Sequence, residues 1–361
     1  MRGRSTAPAF VTSGKEAFFM SKKKQPAQRA PLRRVLRSLY IILVALSLVV
    51  VVSFVALKLF APPPDVPGQV EFSLAVGLPQ ITDNLHGQSG DGSDAAETNK
   101  PETLTLNRRK GVYTCLLLGV ADQGGSDTIM LGVFDTDGKT ASLISIPRDT
   151  VVKYNGSYMK INASYSYGGV EAVSHCVSEM LAVPIDYYMT VNTRAFRDIV
   201  NEIDGVWFDV PVRMDYEDPV GDLYIHISPG YQLLNGRQAE GVVRCRNCYA
   251  NADIGRTATQ RAFLTAMVKQ TVTLSNVTKV TELINILNTH VKSDMTLSNM
   301  VYFGTQAVGM DLDTALNSAV LSDNWISPYI VPEEAKVLEL VNSLGIYEEQ
   351  VPASVLKLVH P

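Results

Sequence analysis

The sequence predicts a mixed α/β fold: a central mixed β-sheet flanked by helices on both faces, after a single N-terminal transmembrane helix. Three observations predict it. Residues 112–150 contain three apolar runs rich in β-branched residues, separated by short polar breaks. From residue 169 onwards, segments with helical spacing of apolar residues alternate with strand-like runs. Near the N-terminus, nineteen consecutive residues carry no charge. Interleaved strands and helices are typical of a sheet covered on both faces.

The N-terminal 60 residues predict a membrane anchor. Residues 1–38 contain ten Lys/Arg and one acid, Glu16, a local charge of +9; the whole chain carries −4, so residues 39–361 carry −13. The uncharged run 39–57 would span roughly 28 Å as a helix, close to the hydrocarbon core of a bilayer. The alternative is a cleaved signal peptide, but no small-x-small cleavage site precedes Pro62. We expect 39–60 to span the cell membrane once, with the basic tail cytoplasmic and the acidic remainder extracellular.

Charge and cysteine usage exclude several classes of protein. The basic tail is too short and patternless for a helix-turn-helix domain, so we expect no nucleic-acid partner. Four cysteines are few for an exported domain built on disulfides. Cys245 and Cys248 lack a second pair at zinc spacing, which favours a local disulfide or simple burial. The sequence contains no Walker-type loop, Gly-x-Ser-x-Gly elbow or His-Glu-x-x-His motif.

The segment 61–110 is rich in proline and small polar residues, and we expect an extracellular, partly disordered linker. Residues 111–361 are long enough for one α/β domain, with a core at 111–272 and a helical C-terminal part at 273–361. Helical spacing predicts helices over 169–183, 196–203, most of 256–308 with Thr296 and Ser298 as caps, and 333–344. Further strands are predicted over 185–191, 206–210, 223–227 and 316–321, with a loop over 215–222.

The three runs at 112–120, 128–134 and 140–146 predict neighbouring antiparallel strands. The second break, 135–139, is a hairpin-type turn with Gly138 at the tight position. If both breaks are hairpins, one sheet edge carries four polar residues, which are Asp122, Asp127, Arg148 and Asp149. Two carboxylates and an arginine suggest an ion and a phosphate, but turn chemistry explains aspartates beside glycines equally well. Both interpretations stay open from this stretch alone.

A second polar region lies at 239–262. It contains four arginines in an otherwise acidic part of the chain, which are Arg244, Arg246, Arg256 and Arg261. We expect Arg244 and Arg246 to alternate on a strand and face one side. Asp253 is expected to begin a helix that carries Gln260. Arginine forks and helix N-termini both bind phosphate oxygens. The alternative is a solvated basic face or internal salt bridges, and Lys160 alone would be interpreted as a surface lysine.

Six short motifs occur in an order that resembles the LytR-CpsA-Psr family of cell-wall glycopolymer ligases. They are Gly119-Val120-Ala121-Asp122, Ser126-Asp127-Thr128-Ile129-Met130, Ser145-Ile146-Pro147-Arg148-Asp149-Thr150, Lys160-Ile161-Asn162-Ala163, Val243-Arg244-Cys245-Arg246 and Asp253-Ile254-Gly255-Arg256. The resemblance covers about residues 111–272. It implies the family fold, a central mixed sheet between helices with an apolar groove for a lipid tail.

The resemblance also implies a function. Such enzymes move a glycopolymer, such as teichoic acid or capsule, from polyprenyl pyrophosphate to peptidoglycan, outside the membrane of a Gram-positive-type bacterium. By the family pattern, Asp122 and Asp127 hold Mg²⁺, or Mn²⁺ in its place. The pyrophosphate ligands would be Arg148, Lys160, Arg244, Arg246, Arg256 and Gln260. Asp253 would be the base for the incoming sugar hydroxyl, and Arg148 would act in catalysis as well as in binding.

The chain departs from the family pattern at two places. The break between Asp122 and Asp127 is short, and Thr259 stands where the family often has arginine, with Arg261 two positions later. Two other functions remain compatible with the same residues. One is a hydrolase that cleaves lipid pyrophosphate with water. The other is a non-catalytic regulator of the cell envelope that binds polyprenyl pyrophosphates.

Overall fold

The structure is a computed structural model. It describes residues 61–73, 103–120, 125–219, 223–249, 253–271, 289, 291–307, 310–322 and 324–360. Residues 56–361 form one compact unit. The predicted transmembrane helix, 39–60, lies outside the described residues. Within the part that the structure describes, no helix is both long and apolar enough to cross a membrane.

The described elements comprise strands, α-helices and one short 3₁₀ turn at Ala353–Val355. The strands are β1 (Gln69–Ser73), β2 (Thr103–Asn107), β3 (Val112–Val120), β4 (Ser126–Asp135), β5 (Thr140–Ile146), β6 (Val151–Tyr154), β7 (Ser157–Lys160), β8 (Tyr187–Asn192), β9 (Val206–Val210), β10 (Met214–Asp218), β11 (Leu223–Ile227), β12 (Gly230–Leu234), β13 (Val291–Ser293), β14 (Leu316–Val320), β15 (Trp325–Ile326) and β16 (Tyr329–Ile330). The helices are α1 (Ile161–Leu181), α2 (Thr193–Glu202), α3 (Gly236–Arg244), α4 (Asp253–Thr271), α5 (Leu297–Ala307), α6 (Leu312–Ala315) and α7 (Glu334–Ser343).

A six-stranded mixed sheet forms the centre, in the order β13-β8-β3-β4-β5-β14. The predicted antiparallel arrangement of its middle is confirmed, because β4 pairs antiparallel with both β3 and β5. Strand β8 runs parallel to β3, and β14 runs parallel to β5. Strand β13 closes one side antiparallel to β8. The apolar runs therefore predicted the three inner strands almost to the residue.

Helices cover both faces of this sheet. On one face, Leu116 and Leu118 of β3 belong to the same buried cluster as Val173 of α1 and Val337 of α7. On the other face, the ring of Tyr113 lies edge-on to that of Tyr302 in α5, with ring centroids 6.0 Å apart. Alternate residues of β3 thus enter two different cores, as the period of a strand requires.

A second core lies beside the central sheet. It joins the β9–β12 and β10–β11 pairs to α2, α3 and α4. Its largest fully buried side chain is Phe263 of α4, which contacts Phe196 of α2 and Phe208 of β9. This core fixes α4 against the strands that precede the arginine-rich region.

The loop predicted over 215–222 is wrong in its first half. Strand β10 takes up Met214–Asp218 and pairs with β11. Met214 is buried while Asp215 and Glu217 point to solvent, where His226 contacts both carboxylates at 2.7 and 3.2 Å. Residues of this kind resemble a turn in composition, but their alternation is that of an edge hairpin.

The described parts of the segment predicted as a linker, 61–110, include β1 and β2, which pair antiparallel, and Val70 and Phe72 pack against the main core. Alternating apolar residues in β1 supply a partly buried face within a polar segment. The rest of the predicted linker, 74–102, lies outside the described residues.

Three smaller expectations change. Helix α1 begins at Ile161, well before residue 169, and bends at Gly168 and Gly169, where the backbone leaves helical geometry. Within the segment predicted as mainly helical, β13 is a strand. Thr296 caps α5 through its hydroxyl, which accepts the Asn299 N–H at 3.2 Å, whereas Ser298 lies inside that helix.

The turn at 135–139 requires glycine at position 138 because of a close contact, not because of a positive φ. Its N–H donates to Asp135 Oδ1 at 2.6 Å, and a Cβ on Gly138 would collide with that carboxylate. The positive φ falls on Lys139 instead, at 54°.

Candidate anion-binding site

One edge of the central sheet gathers the ends of four strands. Val120, the last residue of β3, is opposite Ser126 at the start of β4 and Asn192 at the end of β8. Ile146, at the end of β5, lies beside Ile129 of β4. Asp127 is the second residue of β4, and Arg148 comes two residues after the end of β5. The predicted gathering of polar residues at one edge therefore holds for the members that the structure describes.

The Asp149 cluster consists of Asp127, Arg148, Asp149 and Lys160. The side chain of Asp149 is only 10% exposed, and its Oδ1 lies 3.1 Å from Lys160 Nζ and 3.9 Å from Arg148 Nε. Arg148 also donates from Nη1 to Asp127 Oδ1 at 2.6 Å. A buried carboxylate is stable only with such partners, so it fixes the positions of both cations.

Backbone bonds lock this cluster to the start of α1. The N–H of Ile161 donates to the Thr150 carbonyl at 2.8 Å, and that of Asn162 donates to the Arg148 carbonyl at 3.1 Å. Lys160 is the N-cap residue of α1, whose first segment runs from Ile161 to the break at Gly168. The positive end of the helix dipole thus lies beside Arg148 and Lys160 and adds to the attraction for an anion.

An aromatic side chain lies against Lys160. The Lys160 ammonium lies 5.9 Å from the ring centroid of Trp325, in the β15–β16 hairpin. The hairpin is attached to the cluster through the backbone, since the Ile330 N–H donates to the Asp149 carbonyl at 2.9 Å. The motif around Lys160 predicted neither this ring nor the hairpin, which comes from 165 residues further along the chain.

The Glu240 cluster consists of Arg197, Glu240 and Arg244. The carboxylate of Glu240 is 6% exposed, and each of its oxygens accepts from a different arginine. Arg244 Nη1 donates to Oε1 at 2.6 Å, and Arg197 Nη1 donates to Oε2 at 3.0 Å. Sequence reasoning missed Arg197, because it lies on α2 and belongs to no motif.

The prediction that Arg244 and Arg246 alternate on a strand is wrong. Arg244 is the last residue of α3, and Arg246 follows the helix end. Asn235 begins this helix with a reciprocal cap: its side chain accepts the Gln238 N–H at 3.0 Å, and Gln238 accepts the Asn235 N–H at 3.0 Å. This capping-box pattern was the signal for a helix. In a helix, Arg244 comes one turn after Glu240, which permits their contact.

Of the two alternatives left open for Cys245 and Cys248, the structure shows the local disulfide, with their Cα atoms 5.7 Å apart. Cys245 is buried in the second core, and Cys248 packs against it. The bond encloses Arg246 and Asn247, both exposed. It therefore ties the segment that carries Arg246 to the end of α3.

Helix α4 carries the remaining predicted ligands. Arg256 is buried, and Gln260 donates from Nε2 to the Val243 carbonyl at 2.9 Å, next to Arg244. Asp253 is the first residue of the helix, as predicted, but its side chain lies outside the described part. The helix contacts β5, the strand that leads into Arg148, and also α3. It therefore connects the surroundings of the two clusters.

Burial affects two groups on and beside α4. Desolvation lowers the pKa of Arg261, and its Nη1 has no hydrogen-bond partner among the described residues. Burial raises the pKa of Tyr249, whose hydroxyl donates to Thr259 Oγ1 at 2.7 Å. Thr259 stands where the family often has arginine. Its hydrogen bond with Tyr249 joins α4 to the loop before it.

Of the two predicted metal ligands, Asp127 is the one that the structure describes. Its side chain is half-exposed at the sheet edge, its Oδ1 accepts from Arg148 Nη1 at 2.6 Å, and a carboxylate is a ligand type that hard cations prefer. Asp122 lies outside the described residues. Among the residues that are described, no group of three or more His, Cys, Asp or Glu side chains is arranged to hold a metal.

The fold and the two clusters define an α/β protein with cationic side chains held on buried carboxylates, suited to an anionic group. The sequence model of the LytR_cpsA_psr family matches residues 82–337, which is well over half of the chain. The chain therefore belongs to the LytR_cpsA_psr family.

Named relatives and solved structures agree with this membership. The chain is 28% identical over 291 residues to a Bacillus subtilis protein named polyisoprenyl-teichoic acid–peptidoglycan teichoic acid transferase TagV, covering 75% of this chain and 73% of TagV. It is 28% identical over 299 residues to TagU of Bacillus cereus, covering 78% and 92%. The crystal structure of B. subtilis TagV aligns with a TM-score of 0.59 and 27% identity, covering 68% of this chain and all of that one. A structure of TagT bound to LIIa-WTA aligns with a TM-score of 0.54 and 26% identity, covering 65% and 90%.

Proposed function

We propose that this protein is a phosphotransferase that moves a glycopolymer from a polyprenyl-pyrophosphate carrier to peptidoglycan. One observation carries the proposal: Arg148 and Lys160 lie on the buried carboxylate of Asp149, at the positive end of α1. Such an arrangement presents fixed cations to phosphate oxygens, which is what phosphoryl transfer requires of a protein. The names of relatives such as TagV and TagU support teichoic acid and peptidoglycan as the reactant classes.

The proposed reaction breaks one P–O bond and forms another. An acceptor hydroxyl of peptidoglycan attacks the phosphorus that bears the glycan. The bond from that phosphorus to the bridging oxygen breaks, and polyprenyl phosphate leaves with the electron pair. The products are a glycan joined to peptidoglycan by a phosphodiester, polyprenyl phosphate and one proton.

The side chains take separate roles in this scheme. Arg148, Lys160, Arg244, Arg246 and Arg256 hold the pyrophosphate oxygens, and Arg148 also meets the charge that develops in the transition state. Gln260 orients the end of α3 through the Val243 carbonyl. Asp253, at the start of α4, accepts the proton of the acceptor hydroxyl.

Asp122 and Asp127 would hold Mg²⁺, which would neutralise charge on the pyrophosphate. The bond from Arg148 to Asp127 places the proposed metal ligand next to a proposed phosphate ligand. The anionic donor and the cationic metal would then each strengthen the binding of the other, because they bring opposite charges to the same place.

We further propose that residues 39–60 anchor the protein in the cell membrane as one helix. The uncharged run and its basic flank support this, and the donor's lipid tail stays in the same bilayer. Tethering enzyme and donor to one surface raises their effective concentration.

The proposal is tested with the full-length chain in detergent micelles. The assay contains a radiolabelled saccharide linked to lipid pyrophosphate, Mg²⁺ and peptidoglycan fragments. We expect label to move to peptidoglycan, together with one polyprenyl phosphate per transfer. Release of free saccharide phosphate alone would identify a hydrolase instead. Donor binding without turnover would identify a regulator that binds lipid pyrophosphate.

A further inference from the structure

The Glu240 cluster contains a cation that the family motifs do not include. Arg197 lies in the middle of α2, 47 residues before Arg244, and reaches the same buried carboxylate. One acid and two arginines leave the cluster with a net charge of +1. If Glu240 only neutralised Arg244, one arginine would be enough. The contact of Arg197 with the same carboxylate therefore needs a further explanation.

The two arginines remain partly open to solvent. The side chain of Glu240 is 6% exposed, whereas those of Arg197 and Arg244 are 32% and 40% exposed. Each arginine contacts Glu240 through Nη1. A guanidinium has five N–H donors in a planar fork, so each arginine keeps donors beyond this contact. The carboxylate is inside and the cations extend outwards from it.

The backbone makes this arrangement rigid. Helices α2 and α3 approach so closely at Gly236 that a Cβ there would collide with the backbone of Arg197. The Gly236 N–H donates to Asn201 Oδ1 at 2.8 Å, which joins the same two helices. Arg197 and Glu240 therefore face each other across a fixed gap. Preorganised charges of this kind bind an anion without a cost for ordering them.

Arg197 also lies on a helix that begins at the sheet edge of the Asp149 cluster. Helix α2 follows directly after β8, whose end is paired with the end of β3 at the edge that bears Asp127. Asn192 caps α2 by accepting the Ala195 N–H at 2.8 Å, so the helix begins at that edge. Arg194 lies on the same helix but is 73% exposed and contacts Asp198 at 3.8 Å instead.

From this geometry we infer that Arg197 is a further anion-binding residue and that Glu240 is a positioning residue, which holds Arg197 and Arg244 as a pair for one pyrophosphate. The inference rests on the proposed function for the identity of the ligand. It deepens that function by assigning a second carboxylate-centred pair of cations to the donor's phosphates.

The test measures binding of farnesyl pyrophosphate to the full-length chain in detergent by titration calorimetry, with Mg²⁺ present. Arg197→Gln should weaken binding by about tenfold or more, because a charge-assisted contact is lost. The dependence of affinity on salt should also become shallower in this variant. Arg194→Gln is the matched control, an arginine of the same helix, and should leave the affinity unchanged.

Glu240→Gln separates positioning from simple charge. The substitution raises the cluster's net charge from +1 to +2, so electrostatics alone would tighten binding. If Glu240 positions the arginines, binding weakens despite the added charge, and the transfer assay shows a higher KM with a smaller change in kcat. Tighter binding by Glu240→Gln would overturn the positioning role.

A melting curve for each variant removes the structural alternative. If Arg197 only joined α2 to α3, Arg197→Gln would lower the Tm and leave the affinity of the folded protein unchanged, which overturns the inference. A wild-type chain that does not bind farnesyl pyrophosphate would also overturn it. Binding lost in Arg197→Gln but no glycan transfer by the wild type would retain the inference and reject the proposed transferase.

Discussion

The Asp149 cluster and the Glu240 cluster hold cations in the same way but use the chain differently. In each, a carboxylate that is at least nine-tenths buried contacts two partly exposed basic side chains. Asp149 takes its neighbours from one short stretch, since Arg148 precedes it and Lys160 returns through the β6–β7 hairpin. Glu240 takes Arg244 from its own helix and Arg197 from another.

This difference explains why one cluster was visible in the sequence and the other was not. The members of the Asp149 cluster lie within 34 residues and include three motif segments. The Glu240 cluster depends on the packing of α2 against α3 at Gly236, which no local pattern encodes. Where a buried acidic side chain contacts an arginine of a motif, the rest of the fold should therefore be searched for a second basic side chain that contacts the same acid.

The largest effect should come from removing one cation of each cluster. Arg148→Ala and Arg244→Ala should each lose charge-assisted contacts of roughly 1.5–3 kcal/mol, which is about ten- to 150-fold in kcat/KM for transfer. Arg237→Ala, an exposed arginine on the same helix as Arg244, is the control and should retain full activity. Unchanged turnover in Arg244→Ala would reject the Glu240 cluster as part of the site.

The disulfide between Cys245 and Cys248 lies next to the Glu240 cluster, and the Asp149 cluster has no counterpart. Cys248→Ser opens a four-residue loop and should lower the free energy of unfolding by about 2 kcal/mol in the chain-entropy account. Urea unfolding of wild type and variant measures this. A reductant should destabilise the wild type by a similar amount and leave Cys248→Ser unaffected. Equal sensitivity of both proteins to reductant would locate the effect elsewhere.

We expect Mg²⁺ binding to depend on the Asp149 cluster and not on the Glu240 cluster. Asp127→Asn removes a proposed ligand and also weakens the acceptor for Arg148. We expect the Mg²⁺ concentration for half-maximal transfer to rise by roughly tenfold or more, as loss of even outer partners of a metal does. Arg197→Gln should leave this concentration unchanged. A variant with wild-type Mg²⁺ dependence would remove Asp127 from the metal site.

The smallest effect concerns the two free thiols, Cys115 and Cys176. Burial raises the pKa of Cys115 to about 12 and that of Cys176 to about 11, because it disfavours the thiolate. At pH 8 both are thiols in the native chain, and alkylation should leave them unmodified until the protein unfolds. After mild reduction, the partly buried Cys248 should take up label, as mass spectrometry can measure. Label on Cys176 in the native protein would contradict the burial of its side chain.

Much of the fold followed from local patterns. Apolar runs predicted β3, β5, β9 and β11 at their observed bounds, since buried strands leave a continuous signal. The acidic strand β10 and the short strands β13, β15 and β16 were missed, because their pairing partners, not their composition, define them.

The candidate site was predicted less evenly. Arg148 and Asp127 lie at the strand edge where both were expected and contact each other there, whereas Arg244, expected on a strand, is the last residue of α3. Arg197 and Trp325 carry no sequence signal of their role, because each reaches the site through tertiary packing. The roles of Asp122 and Asp253 stay predictions from the family resemblance.

The central claim is that both clusters act on a single pyrophosphate. Titration calorimetry of the full-length chain with farnesyl pyrophosphate tests it by giving a stoichiometry as well as an affinity. We predict one binding event per chain, weakened by Arg148→Ala and also by Arg244→Ala. Two independent events, or an event weakened by only one of these substitutions, would contradict the claim.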